Sequence, residues 1–536
     1  MKLTFIGADH EVTGSCHYLE IAGKRLTIDC GLEQGADIYE NEELPCAAAD
    51  LDYVFLTHAH IDHSGYLPFL YSHGFRGTIF ATKATTDLCQ IMLRDSAHIQ
   101  EMEAEWKNRK ARRSGLPEVI PLYTIQDAEN VISHFHSLDY DTTITICDGI
   151  QVRFSDVGHL LGSASIELWA TEDDQTVKLA FSGDVGNINQ PLIRDPQYLS
   201  DADYVIMEST YGDRNHTATP DYVASLTRII RDTFKRGGNV VIPSFAVGRT
   251  QELLYFIREI KTQNLLPEYP DFEVFVDSPL AVEATSVFNR NVESCFDEEA
   301  MALVRQGINP IAFPGLKTSV TSDESKAINF NPNPKVILSA SGMCEAGRIR
   351  HHLKHNLWRP ECTILFVGYQ ANGTLGRALL EGAKAVTLFG ETIEVTAHIE
   401  KLDGISGHAD KDHLIKWLEA MSPKPKKVFI VHGEDNVCDS FTACLRDEHG
   451  YDAEAPYTGA SFDLLTGTWL SDGNHHIHKK QTTVKEKSIR ATNIYLRLVA
   501  AGQRLIAVIR HNEGGTNKDL IKFTDQINSL CDKWDR

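Results

Sequence analysis

The 536-residue chain contains little that would cross-link it or anchor it in a membrane. No two of its eleven cysteines form a Cys-x-x-Cys pair and their number is odd, which argues against a disulfide framework and for a reducing, cytoplasmic setting. No apolar run approaches the roughly 20 residues of a membrane helix. The opening MKLTFIGADHEVTG breaks its apolar stretch at Asp9, too early for a signal peptide. Excess positive charge is missing as well. With 52 Lys and Arg against 74 Asp and Glu, the net charge of −22 repels polyanions, so nucleic-acid binding would need a local groove. There is no G-x-S-x-G serine signature, no internal repeat and no low-complexity segment. What remains is an ordinary globular composition, 42% apolar and 24% charged, long enough for roughly two to four domains.

One pattern recurs along the chain: a short β-rich apolar run with a polar residue at its C-terminal end. DYVFLT runs into His58, VKLAFSG into Asp184, YVIMES carries Glu208, and KKVFIV runs into His432. With helical segments such as 84–106 and 221–236 between them, these runs predict mixed α/β layers with buried sheets. Ligands bind at strand ends in such folds, so the four polar residues are candidates for one shared site. The runs at 238–245, 334–342 and 362–369 end instead in small, glycine-containing turns, which predicts a second α/β unit between about 210 and 395. Residues 474–487 read as a polar linker holding His475, His476 and His478. Two helical stripes follow, Tyr495, Leu498, Val499, Leu505, Ile506 and Ile509, then Leu520, Phe523, Ile527, Leu530 and Trp534, with Thr516 as the N-cap of the second. This hairpin is expected to pack on the body, with homodimer formation or partner docking as the alternative.

The stretch LTHAHIDHSGYLP (56–68) holds His58, His60, Asp62 and His63. At a strand end, the two-residue spacing of His58 and His60 puts both imidazoles on one side. Asp62 and His63 lie in the next turn and face a second centre. Imidazole and carboxylate are the ligands of hydrolytic zinc sites, which keep a position open for water. Two ions need more donors than these four residues supply. His159 in the glycine-flanked DVGHLLGSAS, Asp184 in FSGDVGN and His432 in FIVHGED are the remaining candidates, each on its own more often structural than ligating. Together they complete two centres. His58, His60 and His159 would hold one Zn²⁺, Asp62, His63 and His432 the other, with Asp184 between them.

H-x-H-x-D-H, a glycine-flanked His and SGD resemble the metallo-β-lactamase superfamily. ESTYGDR (208–214), SGHAD (406–410) and VHGE (431–434) resemble its β-CASP branch of nucleic-acid-processing enzymes, which includes the pre-mRNA 3′-end endonuclease and prokaryotic endoribonucleases. PSFAVGRTQELL (243–254) and GYQANGTLGR (368–377) add to a resemblance that spans about residues 1–465 without departure at any metal position. It implies an α/β fold in which a four-layer αββα metallo-β-lactamase domain (1–209 and 396–468) carries an inserted α/β β-CASP domain (210–395), followed by a linker and C-terminal helical extension (469–536). It also aligns Glu208, His408 and His432 with the family's three β-CASP motifs. A carboxylate-held His408 would then protonate the departing 3′ oxygen of a phosphodiester. Two Zn²⁺ ions activating water would give a ribonuclease that leaves 5′-phosphate and 3′-hydroxyl ends, most simply as an endonuclease.

Single-stranded RNA is the expected partner. Backbone turns near Ser341 and the side chains of Arg249, Arg348 and Arg377 are candidate phosphate contacts. The densest basic run, KNRKARR (107–113), reads as a solvated helix end, with guidance of RNA as the alternative. Competing expectations are a 5′-to-3′ exoribonuclease, a small-ester or thioester hydrolase, and a non-catalytic RNA-processing subunit. The inserted domain argues against the small-substrate hydrolase and the full donor set against the non-catalytic subunit.

Overall fold

The computed structural model describes residues 1–34, 43–114, 118–216, 221–402, 406–475 and 486–534. Successive residues of a strand face opposite sides, and here both sides meet a core. In Tyr204–Glu208, Ile206 joins one apolar cluster while Val205 and Met207 join another. Phe429 and Val431 split from Val428 and Ile430 in the same way within Lys427–Val431. Strands buried on both faces read as unbroken apolar runs, which is why these runs were legible but showed no alternation.

Two sheets carry most of these strands. The first has eight, from Thr468–Asp472 at one edge through Lys2–Gly7 and Tyr53–Phe55 to Phe135–Leu138. The second has seven, from Ala453–Glu454 through Lys427–Val431, Tyr204–Glu208 and Gln175–Phe181 to Ile144–Cys147. Phe5, Leu19 and Phe55 of the first meet Phe154, Leu168 and Phe429 of the second in the core between them. Helices Lys411–Glu419 and Asp435–Asp447 cover the outside of the second sheet with Trp417 and Phe441. Leu67–Ser72 and Lys83–Ser114 cover the first with Leu70 and Leu88. The result is the expected αββα stack.

A third sheet of six parallel strands forms between Val240 and Lys401. Its first strand, Val240–Pro243, lies between Lys335–Ser339 and Thr363–Phe366. The winding direction therefore reverses at this point, and the carboxyl ends of these three strands border a natural crevice. The chain leaves the second sheet at Glu208 and rejoins it near His408. There Ala409 N donates to Val185 O (2.7 Å) and Asn187 N donates to Gly407 O (3.1 Å), pinning the return segment beside Asp184.

The C-terminal extension is the helix pair Glu486–His511 and Asn517–Trp534. Thr516 caps the second, accepting from Asp519 N at 3.3 Å and donating to its carboxylate at 2.7 Å. The packing differs from expectation. The first helix meets the body through small residues, Ala500 and Ala507, near Ala48–Asp50 and Gly74, with an Arg510–Asp50 ion pair at 3.3 Å. Alanine lets a helix backbone approach closely. The larger residues Tyr495, Leu498, Ile506 and Ile509 face solvent instead, and the second helix has no buried residue.

The basic run at 107–113 lies in the last turns of Lys83–Ser114. Its Lys107, Arg109 and Arg112 pair with Glu103, Glu105 and Glu118 at 3.8, 3.1 and 3.0 Å, so their charge is locally matched. His475 packs against Tyr457, and His476 and His478 fall outside the described residues. No described helix is long and apolar enough to cross a membrane.

Candidate functional site

The parallel strands that end at Phe55, Phe181, Glu208 and Val431 deliver their following residues to one edge of the sandwich. The pairing Glu208↔Val431 places His432 level with Ser209, and Ile206 pairs with Phe181 three residues before Asp184. His159 arrives on the 157–163 loop. There Gly158 has φ +65°, and an added Cβ would stand 2.5 Å from Arg194 O, so only glycine fits.

All seven metal-ligand candidates converge. His58 Nε2 lies 3.0 Å from His60 Nδ1, which is 3.2 Å from His159 Nε2. Asp184 Oδ2 faces His58 and His159, each at 3.5 Å. On the other side His63 Nε2 is 3.2 Å from His432 Nε2 and from Asp184 Oδ1, while Asp62 Oδ2 stands 3.7 Å from His432. The two carboxylate oxygens of Asp184 thus face the two sets separately. Donors bound to a tetrahedral zinc at about 2.0–2.1 Å lie about 3.3 Å apart, the spacing seen here.

The outer contacts select the correct tautomers. His63 Nδ1–H donates to Asp29 (2.8 Å) and His159 Nδ1–H to Gly407 O (3.1 Å). The Thr57 hydroxyl donates to Asp29 at 2.8 Å, so it accepts from His58 Nδ1 at 3.1 Å. The Thr210 hydroxyl donates to His432 O at 3.2 Å and accepts from His432 Nδ1 at 3.1 Å. Four imidazoles are therefore held with Nε2 atoms pointing inward. His60 is the exception and presents Nδ1. Against burial, Asp184 and Asp29 raise the pKa of His63, and Asp184 and Asp62 that of His432, so these two hold a proton that a bound cation would displace.

The electrostatics also call for a cation. Burial holds His58, His60 and His159 below the ordinary imidazole range, in their neutral, ligating form. Burial pushes Asp184 up, but His432, His63 and His58 outweigh it and keep the carboxyl well below its usual range. Its Oδ1 accepts no hydrogen bond although it is buried. His432 has a left-handed backbone (φ +50°), a strain of about 1–3 kcal/mol that such sites retain. Its amide donates to Ala8 O at 2.7 Å, and its carbonyl accepts from Ser209 N at 3.2 Å, which together hold the turn.

Beside this cluster, His408 Nδ1 is 3.2 Å from both oxygens of Glu208. Glu208 is buried, and its oxygens also accept from Val185 N (2.5 Å) and Thr210 N (3.2 Å). Burial alone would lower the His408 pKa; the carboxylates of Glu208 and Asp184 reverse this and raise it to about 9. His408 Nε2 points back toward Asp184 Oδ2 at 3.9 Å. The imidazole, 22% exposed, borders a cavity of about 250 Å³ between the sandwich and the third sheet.

The four residues expected to contact phosphate do not all reach this cavity. Arg249 lines it, with its guanidinium on Glu252 at 2.5 Å. Ser341 exchanges hydrogen bonds with the backbone of Ala346, both at 3.3 Å, while its neighbour Gly342 lines the cavity. Arg348 is directed to the buried Asp277 (2.8 Å) and the carbonyl of Ser319 (3.2 Å), because that carboxylate needs a cation inside the third-sheet unit. Arg377 pairs with Glu381 at 2.7 Å on the helix Leu375–Leu380. Neither Arg348 nor Arg377 lines the cavity. Sequence reasoning passed over Asp29, Thr57 and Thr210. Asp29 carries the same signal as the chosen residues, a polar residue ending the apolar run RLTID.

Family models match three segments: a metallo-beta-lactamase superfamily domain over residues 18–180, a Beta-Casp domain over 250–379, and a Zn-dependent metallo-hydrolase RNA specificity domain over 392–456. A Thermus thermophilus protein named Ribonuclease TTHA0252 is 37% identical, with 81% of this chain and 94% of that protein covered. Proteins named transcription termination factor FttA are similar too. The one from Methanosarcina mazei is 31% identical over 82% of this chain and 68% of its own length. That of Thermococcus kodakarensis is 32% identical over 85% and 70%.

Proposed function

Because this chain belongs to the β-CASP branch of the metallo-β-lactamase hydrolases, we propose that it is a zinc-dependent ribonuclease that cuts RNA internally, leaving 5′-phosphate and 3′-hydroxyl ends. One observation carries the reading: two inward-facing donor sets share Asp184, and a carboxylate-held His408 stands beside them at the mouth of a cavity. His58, His60 and His159 would hold one zinc and Asp62, His63 and His432 the other, with Asp184 contributing one oxygen to each. When bound, the zinc ions supply the Lewis-acid charge that activates water and offsets phosphate charge.

The protein's own groups do the rest. Asp29 orients His63 directly and His58 through Thr57. Glu208 holds His408 protonated and aimed past Asp184, the position of a proton donor to the leaving 3′ oxygen. A ribonuclease relative covered over 94% of its length supports RNA as the substrate class.

Incubation of the zinc-loaded protein with internally labelled and 5′-end-labelled RNAs tests the reading. Internal cuts with 5′-phosphate ends are expected. Release of mononucleotides from the 5′ end alone would replace the endonuclease reading with an exonuclease one, and no cleavage would reject both. Elemental analysis of the active protein should find about two zinc ions per chain, as two-metal hydrolysis requires; an active protein with one would reject the paired centre. Asp29→Ala removes an outer partner shared by two imidazoles. It should weaken zinc affinity about 10- to 100-fold in chelator competition, and unchanged affinity would show that the brace is dispensable.

A further inference from the structure

The cavity beside His408 lies at the carboxyl ends of Val240–Pro243, Lys335–Ser339 and Thr363–Phe366, the reversal point of the third sheet, where open α/β sheets take their ligands. A reader of phosphate alone would place cations there. The one arginine lining it among the described residues, Arg249, already carries an ion pair with Glu252. Three large rings line it instead, and two of them stand open to solvent, Phe245 at 49% and Tyr369 at 56% exposure, while Tyr211 is half-buried. Scattered exposed aromatics are common, but these two line one cavity together with the proposed proton donor.

Both rings are carried on braced loops. The Phe245 ring lies against Gly342, where an added Cβ would stand 3.2 Å from two ring carbons. Buried Gln370 donates its Nε2 to Gly342 O and to Tyr369 O, both at 3.0 Å, tying the loop bearing Tyr369 to the backbone under Phe245. A chain of net charge −22 gains little from counterion release, so its hold on RNA needs a charge-independent source. Aromatic faces supply one, since every unpaired base can stack on them.

We infer that Phe245 and Tyr369 form a stacking platform for unpaired nucleobases next to the bond that is cut. This rests on the ribonuclease reading above. The test compares Phe245→Leu, Tyr369→Leu and Tyr369→Phe with the wild type. Each is assayed on a single-stranded RNA and on the same RNA with abasic nucleotides flanking the cut. The leucine variants should keep their zinc and their kcat while KM rises about 5- to 150-fold, the range for losing one base–aromatic stack. Tyr369→Phe should match the wild type. Abasic RNA should cost the wild type a similar factor and the leucine variants little more. Leucine variants with wild-type KM, or a wild type indifferent to the abasic sites, would overturn the platform while leaving the ribonuclease reading intact. A wild type that cleaves no RNA would remove both.

Discussion

Asp184→Ala is expected to leave a folded protein with fewer than two zinc ions and RNA cleavage reduced by more than about 100-fold, beyond the upper end of what loss of an outer partner costs. Asp184 presents one oxygen to each donor set: Oδ2 toward His58 and His159, Oδ1 toward His63. Without it, five imidazoles with contacts as short as 3.0 Å converge with only Asp62 left as an anion among the seven donors. Asp184→Asn is the informative companion. It keeps the size and one oxygen but removes the charge, so metal loss in Asn as well as Ala would assign the effect to charge. Zinc counting and product analysis on the same preparations check the outcome. Two retained zinc ions with wild-type turnover in Asp184→Ala would refute the bridging role.

The second large effect is on proton transfer. His408→Ala should keep both zinc ions and lower kcat by about 10²- to 10⁴-fold, the usual contribution of a positioned acid. Its side chain is outside both donor sets, and its Nε2 is 3.9 Å from Asp184. An RNA whose leaving 3′ oxygen is replaced by sulfur separates acid catalysis from structural support, because a thiolate departs without a proton. His408→Ala should cleave that substrate nearly as fast as the wild type does, and an equal defect on both substrates would remove His408 as the acid. Glu208→Gln reports on the same proton. Glu208 is the chief group raising the His408 pKa to about 9 against burial. A neutral partner lets that pKa fall. Activity that depends on protonated His408 should then decline at lower pH as the solution is made alkaline.

Much of this site was legible because its residues follow a local rule. Apolar runs form the buried strands, and the polar residue after each run falls at the same sheet edge. His58, Asp184 and His432 follow from that rule. Asp29 obeys it as well and was missed because a single aspartate after RLTI carries no metal-ligand spacing. The arginines show the opposite case. Arg348 and Arg377 sit in glycine-rich stretches suited to phosphate, yet the buried Asp277 and the neighbouring Glu381 take their guanidinium groups.

The sequence by itself supplied the donor candidates, the α/β layering and a second α/β unit, since each shows in a short apolar run and the polar residue or glycine turn that ends it. Only the tertiary structure decided that Asp184 divides its oxygens between two sets, that Glu208 meets His408 across 200 residues, and that Phe245 and Tyr369 share one cavity. It also turned Tyr495, Leu498, Ile506 and Ile509 of the first C-terminal helix outward, while Ala500 and Ala507 meet the body. These outcomes depend on which distant surfaces pack best against one another. Local periodicity does not encode that competition.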